Sequence, residues 1–194
     1  MTKHTAHQLP PSVDENSRDE CLMASVREGD PEALQGLIDR HWDELYGFSV
    51  RMLRDPDEAE DIAQEVFVIT WQNRSRWRSE GSLRAYLFRI ARNLLMHRLR
   101  HREVRARKEA EIRESASVVP TPAECVLISQ GQEAFDRALA ALPERRREAF
   151  TLTRVQGLSI GEAAKVMGVT PRTLTNHIYL AARELELALR PFLE

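Results

Sequence analysis

Apolar residues recur every three to four positions along most of this chain, and no stretch sustains the alternation of a half-buried strand. Leu34, Leu37, Ile38, Trp42, Leu45, Tyr46, Val50 and Leu53 fall on one helical face. Ala59, Ile62, Ala63, Val66, Ile69 and Thr70 make a second stripe, and Leu83, Tyr86, Leu87, Ile90, Ala91, Leu94 and Leu95 a third. Phe135, Ala138, Leu139 and Leu142 begin a C-terminal set, and Leu174, Ile178, Ala181 and Leu185 close it. Start signals stand where these stripes begin: Asp30-Pro31, Asp55-Pro56, Ser82, Ser159 with Glu162 three residues on, and Thr170-Pro171. Gly29, Gly157 and Gly168 mark helix ends. The pattern predicts an all-α protein of two small helical domains: a polar mobile tail over 1–18, a first domain over 19–103, a flexible linker with Pro120 and Pro122 over 104–128, and a second domain over 129–194.

Composition changes this picture little, but charge placement changes it much. The net charge is −2 over 194 residues, with 30% of them charged. Between Asp55 and Glu65 there are six acids and no base, and between Leu83 and Arg102 six arginines, two histidines and no acid. An acidic and a basic patch on one small protein point to two different partners. The two cysteines, Cys21 and Cys125, have no second Cys or His at zinc-ligand spacing, and they read as plain thiols with no metal site. No carboxylate cluster, Gly-rich phosphate loop or Ser/His/Asp set is evident, so no catalytic residue, cofactor or small-molecule substrate is expected. No apolar run is long enough to span a bilayer and the N-terminus lacks a signal core, which predicts a cytoplasmic protein.

Three stretches carry candidate chemistry. Residues 159–186 read as a helix-turn-helix. The second helix turns Arg172, Thr173, Thr175, Asn176, Tyr179 and Arg183 away from its apolar stripe, where Arg and Asn can read base edges and Thr and Tyr can bond phosphates. Residues 73–81 break the periodicity and place Asn73, Arg74, Arg76 and Trp77 in a loop suited to a nucleic-acid strand, with Trp77 equally suited to folding inward. The following helix keeps Arg84, Arg89, Arg92, Asn93 and His97 for solvent or DNA, and single-sign arginines repel one another unless an anion compensates.

The blocks D-P-D-E-A-E-D-I-A-Q-E-V-F and G-S-L-R-A-Y-L-F-R-I-A-R-N-L, followed by A-L-A-A-L-P-E-R-R-R-E-A-F and G-L-S-I-G-E-A-A-K-V-M-G-V-T-P-R-T-L, resemble regions 2 and 4 of the sigma-70 family, in its small extracytoplasmic-function (ECF) group. The resemblance implies a factor that brings promoter specificity to core RNA polymerase. Asp61, Gln64, Glu65 and Phe67 would dock on the beta-prime clamp, the loop and arginine helix would bind the minus-ten element, the last helix would read the minus-thirty-five element, and the C-terminal helices would sit on the beta flap. It also implies an anti-sigma protein that holds the factor inactive. The chain departs from the family where a basic run is frequent: it has Thr175-Asn176-His177 there, and Leu180 and Glu184 beyond. The run T-P-R-T-L-T-N-H-I is also similar to the output domain of LuxR-type regulators, which leaves an autonomous dimeric helix-turn-helix regulator as the alternative.

Overall fold

The computed structural model describes residues 13–78, 81–112 and 130–190; most of the expected linker, Cys125 and the last apolar residues Phe192 and Leu193 lie outside that description. Among the described residues the chain forms α1 (Val13–Glu28), α2 (Pro31–Leu53), α3 (Pro56–Gln72), α4 (Leu83–Ile112), α5 (Gln130–Ala141), α6 (Glu144–Phe150), α7 (Ile160–Met167) and α8 (Pro171–Leu189), with no strand. A single 3-10 turn, Arg74–Arg76, lies in the loop before α4.

The predicted caps close these helices. Asp30 accepts from the Glu32 N–H and Asp55 from the Glu58 N–H, each with Pro at the first helical position. Ser159 and Glu162 form a complete capping box on α7, and Thr170 accepts from the Thr173 N–H to start α8. Gly168 ends α7 in the left-handed conformation. Arg54 does the same between α2 and α3 at φ 58, where the next residue is already the α3 cap.

Three boundaries differ from the sequence expectation. Helix α1 begins at Val13, inside the expected tail; Met23 and Val26 seat it in the core, and one turn before Met23 its Asp19 accepts from Arg40 and meets His41. Helix α4 continues to Ile112 through residues read as linker; the sequence there sets Glu103 four residues before Arg107 and Arg107 four before Glu111, a spacing of opposite charges that favours a helix without apolar periodicity. Helix α6 passes into a π-helical stretch over Thr151–Val155, which sequence periodicity does not signal.

The core is continuous. Met23, Leu37, Leu45, Phe48, Ile62, Val66, Leu83, Leu87, Phe88 and Leu95 from α1–α4 join Ala149, Leu152, Leu158, Ala163, Val166, Met167, Leu174 and Ile178 from the C-terminal half in one buried cluster. Leu139, Leu142, Ala181 and Leu185 make a smaller cluster that holds α5 to α8. The two helical units therefore pack directly against each other.

A buried polar chain ties α1 to this junction. Asp19 accepts from Arg40 Nε at 2.8 Å and lies 3.0 Å from His41 Nε2; His41 Nδ1 is 3.9 Å from Glu44, which also receives Arg84. Burial opposes every charge here. The bonds nonetheless outweigh it, lowering Asp19 and Glu44 below ordinary carboxylate values and raising His41 above 6.5. The signs set a pH window. The contribution of His41 is complete below 6.5 and lost as pH rises through its raised value; those of Asp19 and Glu44 are complete above 3.8 and 4.5 and lost as pH falls through their lowered values. Urea denaturation should therefore show stability falling from pH 6.5 upward. His41→Ala should flatten that slope and cost about 1–3 kcal/mol near pH 6, the penalty of leaving buried partners unsatisfied. An unchanged slope in the variant would mean that other groups set it.

Candidate nucleic-acid interface

The polar face of α8 is open. Leu174, Ile178, Ala181 and Leu185 are buried, while Arg172, Thr173, Thr175, Asn176, Tyr179 and Arg183 lie on the outward side, Tyr179 at 63% exposure. Two of the hydroxyls are partly committed: Thr175 Oγ1 donates to the Pro171 carbonyl at 2.9 Å, and Thr173 shares a bond with Thr170. Glu184 holds Arg146 of α6 and joins the helix to its neighbour. Of the three arginines in E-R-R-R-E, Arg145 reaches Glu148 at 3.5 Å and Arg147 donates to the Ala140 carbonyl, so Arg145 is the one that stays largely in solvent.

The loop before α4 and the start of that helix form a second basic surface. Asn73 donates its amide to the Ile69 carbonyl at 3.0 Å and is partly exposed. Arg74 lies 4.4 Å over the Trp71 ring and donates to the Trp71 carbonyl, so it is held on the end of α3. Arg76 and Arg78 are exposed. Trp77 folds inward, 8% exposed, and takes the core role that the sequence left open. Arg89 is exposed, its guanidinium 5.6 Å from the Tyr86 ring, and Asn93 and His97 are exposed further along α4. A cavity of about 410 Å³ opens between Asn73, Trp77, Tyr86 and Arg89 on one side and Lys165 and Val166 of α7 on the other.

Arg84 and Arg92 do not share this open surface. Arg84 makes a two-pronged bond to Glu44 and a further bond to the Gln156 carbonyl, while Gln156 donates back to the Glu44 carbonyl at 3.2 Å. The π-helical stretch ends at Gln156 and delivers that residue to the junction. Arg92 Nε donates to Glu148, whose carboxylate is fully buried, and Ser82 bonds Glu162 of the capping box. Burial pushes the Glu148 carboxyl up despite the Arg92 and Arg145 charges. Sequence reasoning missed Asp19, Glu44, Glu148 and Gln156, because nothing in a local pattern tells a buried, paired acid or amide from a wet one.

The acidic face lies on α3. Asp61 and Gln64 are exposed and Glu65 is half-buried; Asp61 and Glu65 stand 4.0 and 3.9 Å from Arg98, too far for tight pairing. Phe67 is buried, stacked on Trp42 with centroids 6.4 Å apart, so it shapes this face from beneath rather than presenting itself on it. The exposed apolar residue there is Val68, at 52%.

Known proteins are similar to this chain in sequence and in fold. Residues 37–105 match the Sigma-70 region 2 family and residues 132–185 match Sigma-70, region 4. The chain is a sigma factor of the sigma-70 family. It is 28% identical to the RNA polymerase sigma-H factor of Pseudomonas aeruginosa, covering 91% of this chain and 96% of that one. It is 25% identical to the ECF RNA polymerase sigma factor SigW of Bacillus subtilis, covering 87% and 95%. Such relatives place this sigma factor in the ECF group. Among solved structures it resembles RpoE of Bartonella quintana, solved with the anti-sigma factor NepR, at 25% identity and TM-score 0.66 over 80% of this chain and 96% of that one. CnrH, solved with the cytosolic domain of CnrY, shares the fold at TM-score 0.67 and 24% identity over 90% and 98%. Among the described residues no helix of the sigma factor is long and apolar enough to cross a membrane.

Proposed function

We propose that this sigma factor docks on the beta-prime clamp of core RNA polymerase through the acidic face of α3, contacts the minus-ten element with the 73–78 loop and α4, and reads the minus-thirty-five element with α8, its C-terminal helices resting on the beta flap. The observation that carries this reading is the pair of family matches in chain order, joined to an α8 whose polar face is left open opposite its buried stripe. The tether between the two units lets both DNA contacts act together, which raises avidity without new contacts. An autonomous dimeric regulator has no use for the acidic α3 face, and the relatives are sigma factors.

In this arrangement Arg84 and Arg92 face the junction, so contact with promoter DNA through them requires the two units to part. An anti-sigma protein that holds the units together, as a class of partner, fits this closed form.

Reconstitution with core polymerase and run-off transcription tests the reading: the purified chain should direct initiation from one promoter class and not from random DNA. Arg172→Ala should cost about 1–3 kcal/mol at a single minus-thirty-five base pair. A loss spread evenly over sequences would make Arg172 a phosphate contact instead, and transcription without the added chain would sink the assignment.

A further inference from the structure

We propose that His97 and His101 form a bidentate site for a late first-row transition dication such as Ni²⁺, Cu²⁺ or Zn²⁺. The stretch H-R-L-R-H puts two imidazoles one helical turn apart on α4, the i,i+4 spacing by which helices present paired metal ligands. In the structure both side chains are exposed, and their Nε2 atoms converge to 3.1 Å, with ring centroids 4.3 Å apart and the planes tilted by 56°.

That separation is the span a chelated metal needs. Two metal–nitrogen bonds of about 2.0–2.1 Å close on it at an angle of roughly 95–102°, between square-planar and tetrahedral values. A mutual N–H···N bond between neutral rings is the other use of the geometry. In water such a bond gains little over hydration, so it is a weak reason for two exposed rings to converge.

The arginines nearest the two histidines in sequence, Arg98, Arg100 and Arg102, have partners elsewhere. Arg98 and Arg102 turn away toward α3, Arg98 to Asp61 and Glu65 and Arg102 to Asp55 at 2.9 Å and Glu58 at 3.0 Å. Arg100 folds back onto the Met96 carbonyl at 3.0 Å. Among the described residues no group of three or more His, Cys, Asp or Glu surrounds the pair, so the remaining coordination positions face outward to water or an incoming donor. Asn93 lies one turn earlier on the same stripe of α4, which makes the site continuous with the surface offered to DNA.

Titration calorimetry with NiCl₂ on the full chain tests the proposal. His4 and His7 are replaced by Ala in every sample, so that N-terminal histidines do not contribute. The expected result is one nickel ion per chain at micromolar affinity, no heat from MgCl₂, and a loss of at least about tenfold in each of His97→Ala and His101→Ala, the low end for removing even an outer-shell partner of a metal. Nickel should also raise the melting temperature of the His97, His101 chain and leave that of the double variant unchanged. Equal affinity in the double variant, or no binding at micromolar nickel, overturns the site and leaves a hydrogen-bonded pair.

Discussion

Glu148→Lys separates the two helical units. In the folded chain Glu148 is fully buried, with Arg92 Nε on one carboxylate oxygen and Arg145 3.5 Å from the other. A lysine there sets a third cation beside the Arg92 and Arg145 guanidiniums, at a position closed to water. Removing one member of a buried pair costs about 3–5 kcal/mol, and reversing its sign costs more. The rest of the junction is an apolar seam with bonds from Arg84 to Gln156 and from Ser82 to Glu162. Contacts between domains of one chain resemble transient interfaces, so parting the units relieves the penalty at lower cost than keeping them together. Small-angle scattering should show the radius of gyration rising from a wild-type value near that of a compact chain, roughly 16 Å for this length. Circular dichroism should show helix content retained, which separates parting from unfolding. Because Arg92 is then released, the variant should also bind single-stranded minus-ten DNA more tightly than wild type. The charge swap Arg92→Glu with Glu148→Lys should restore much of the compaction. A Glu148→Lys chain as compact as wild type would show that the pair does not hold the junction.

That junction is also where sequence reasoning stopped. Caps and stripes were legible because they are local: Ser159 and Glu162 meet three residues apart, and Thr170-Pro171 needs only the next turn. The polar face of α8 was legible for the same reason, since a buried stripe at helical spacing leaves the opposite face for solvent. Arg84 and Arg92 carry the right charge for DNA and the right face of α4, yet their partners lie 40 to 72 residues away, and no local spacing encodes that. The π-helical stretch that brings Gln156 to Glu44 leaves no periodic trace. Phe67 misled in the opposite direction, because an aromatic at the edge of an amphipathic stripe fits a docking surface and a core equally well until Trp42 is known to cover it. The start of α1 was hidden because residues 13–18 carry no apolar periodicity, and the bonds that hold the helix at Asp19 come from Arg40 and His41, 21 and 22 residues away.

Reversing Asp61 and Glu65 together to Lys should abolish co-purification with core RNA polymerase while leaving the sigma factor folded. Both side chains are substantially exposed, at 63% and 45%, and the ion pairs they make to Arg98 are long. Exposed pairs of that kind contribute about 0–1 kcal/mol, so the fold loses little. Asp57 and Glu58 remain to complement the positive end of α3. Across a docked surface the accounting is different: like charges set opposite one another cost several kcal/mol, and each 1.4 kcal/mol is about tenfold in affinity. The expected loss is therefore at least about a hundredfold, and it should be steepest at low salt, where the charges are least screened. Val68→Ser, which removes the exposed apolar residue on the same helix and keeps every charge, should weaken binding less and without that salt dependence. Binding of the reversed chain at wild-type strength would move the docking surface off α3. The exposed acids would then need another cationic partner, and α8 would remain the better-supported functional face.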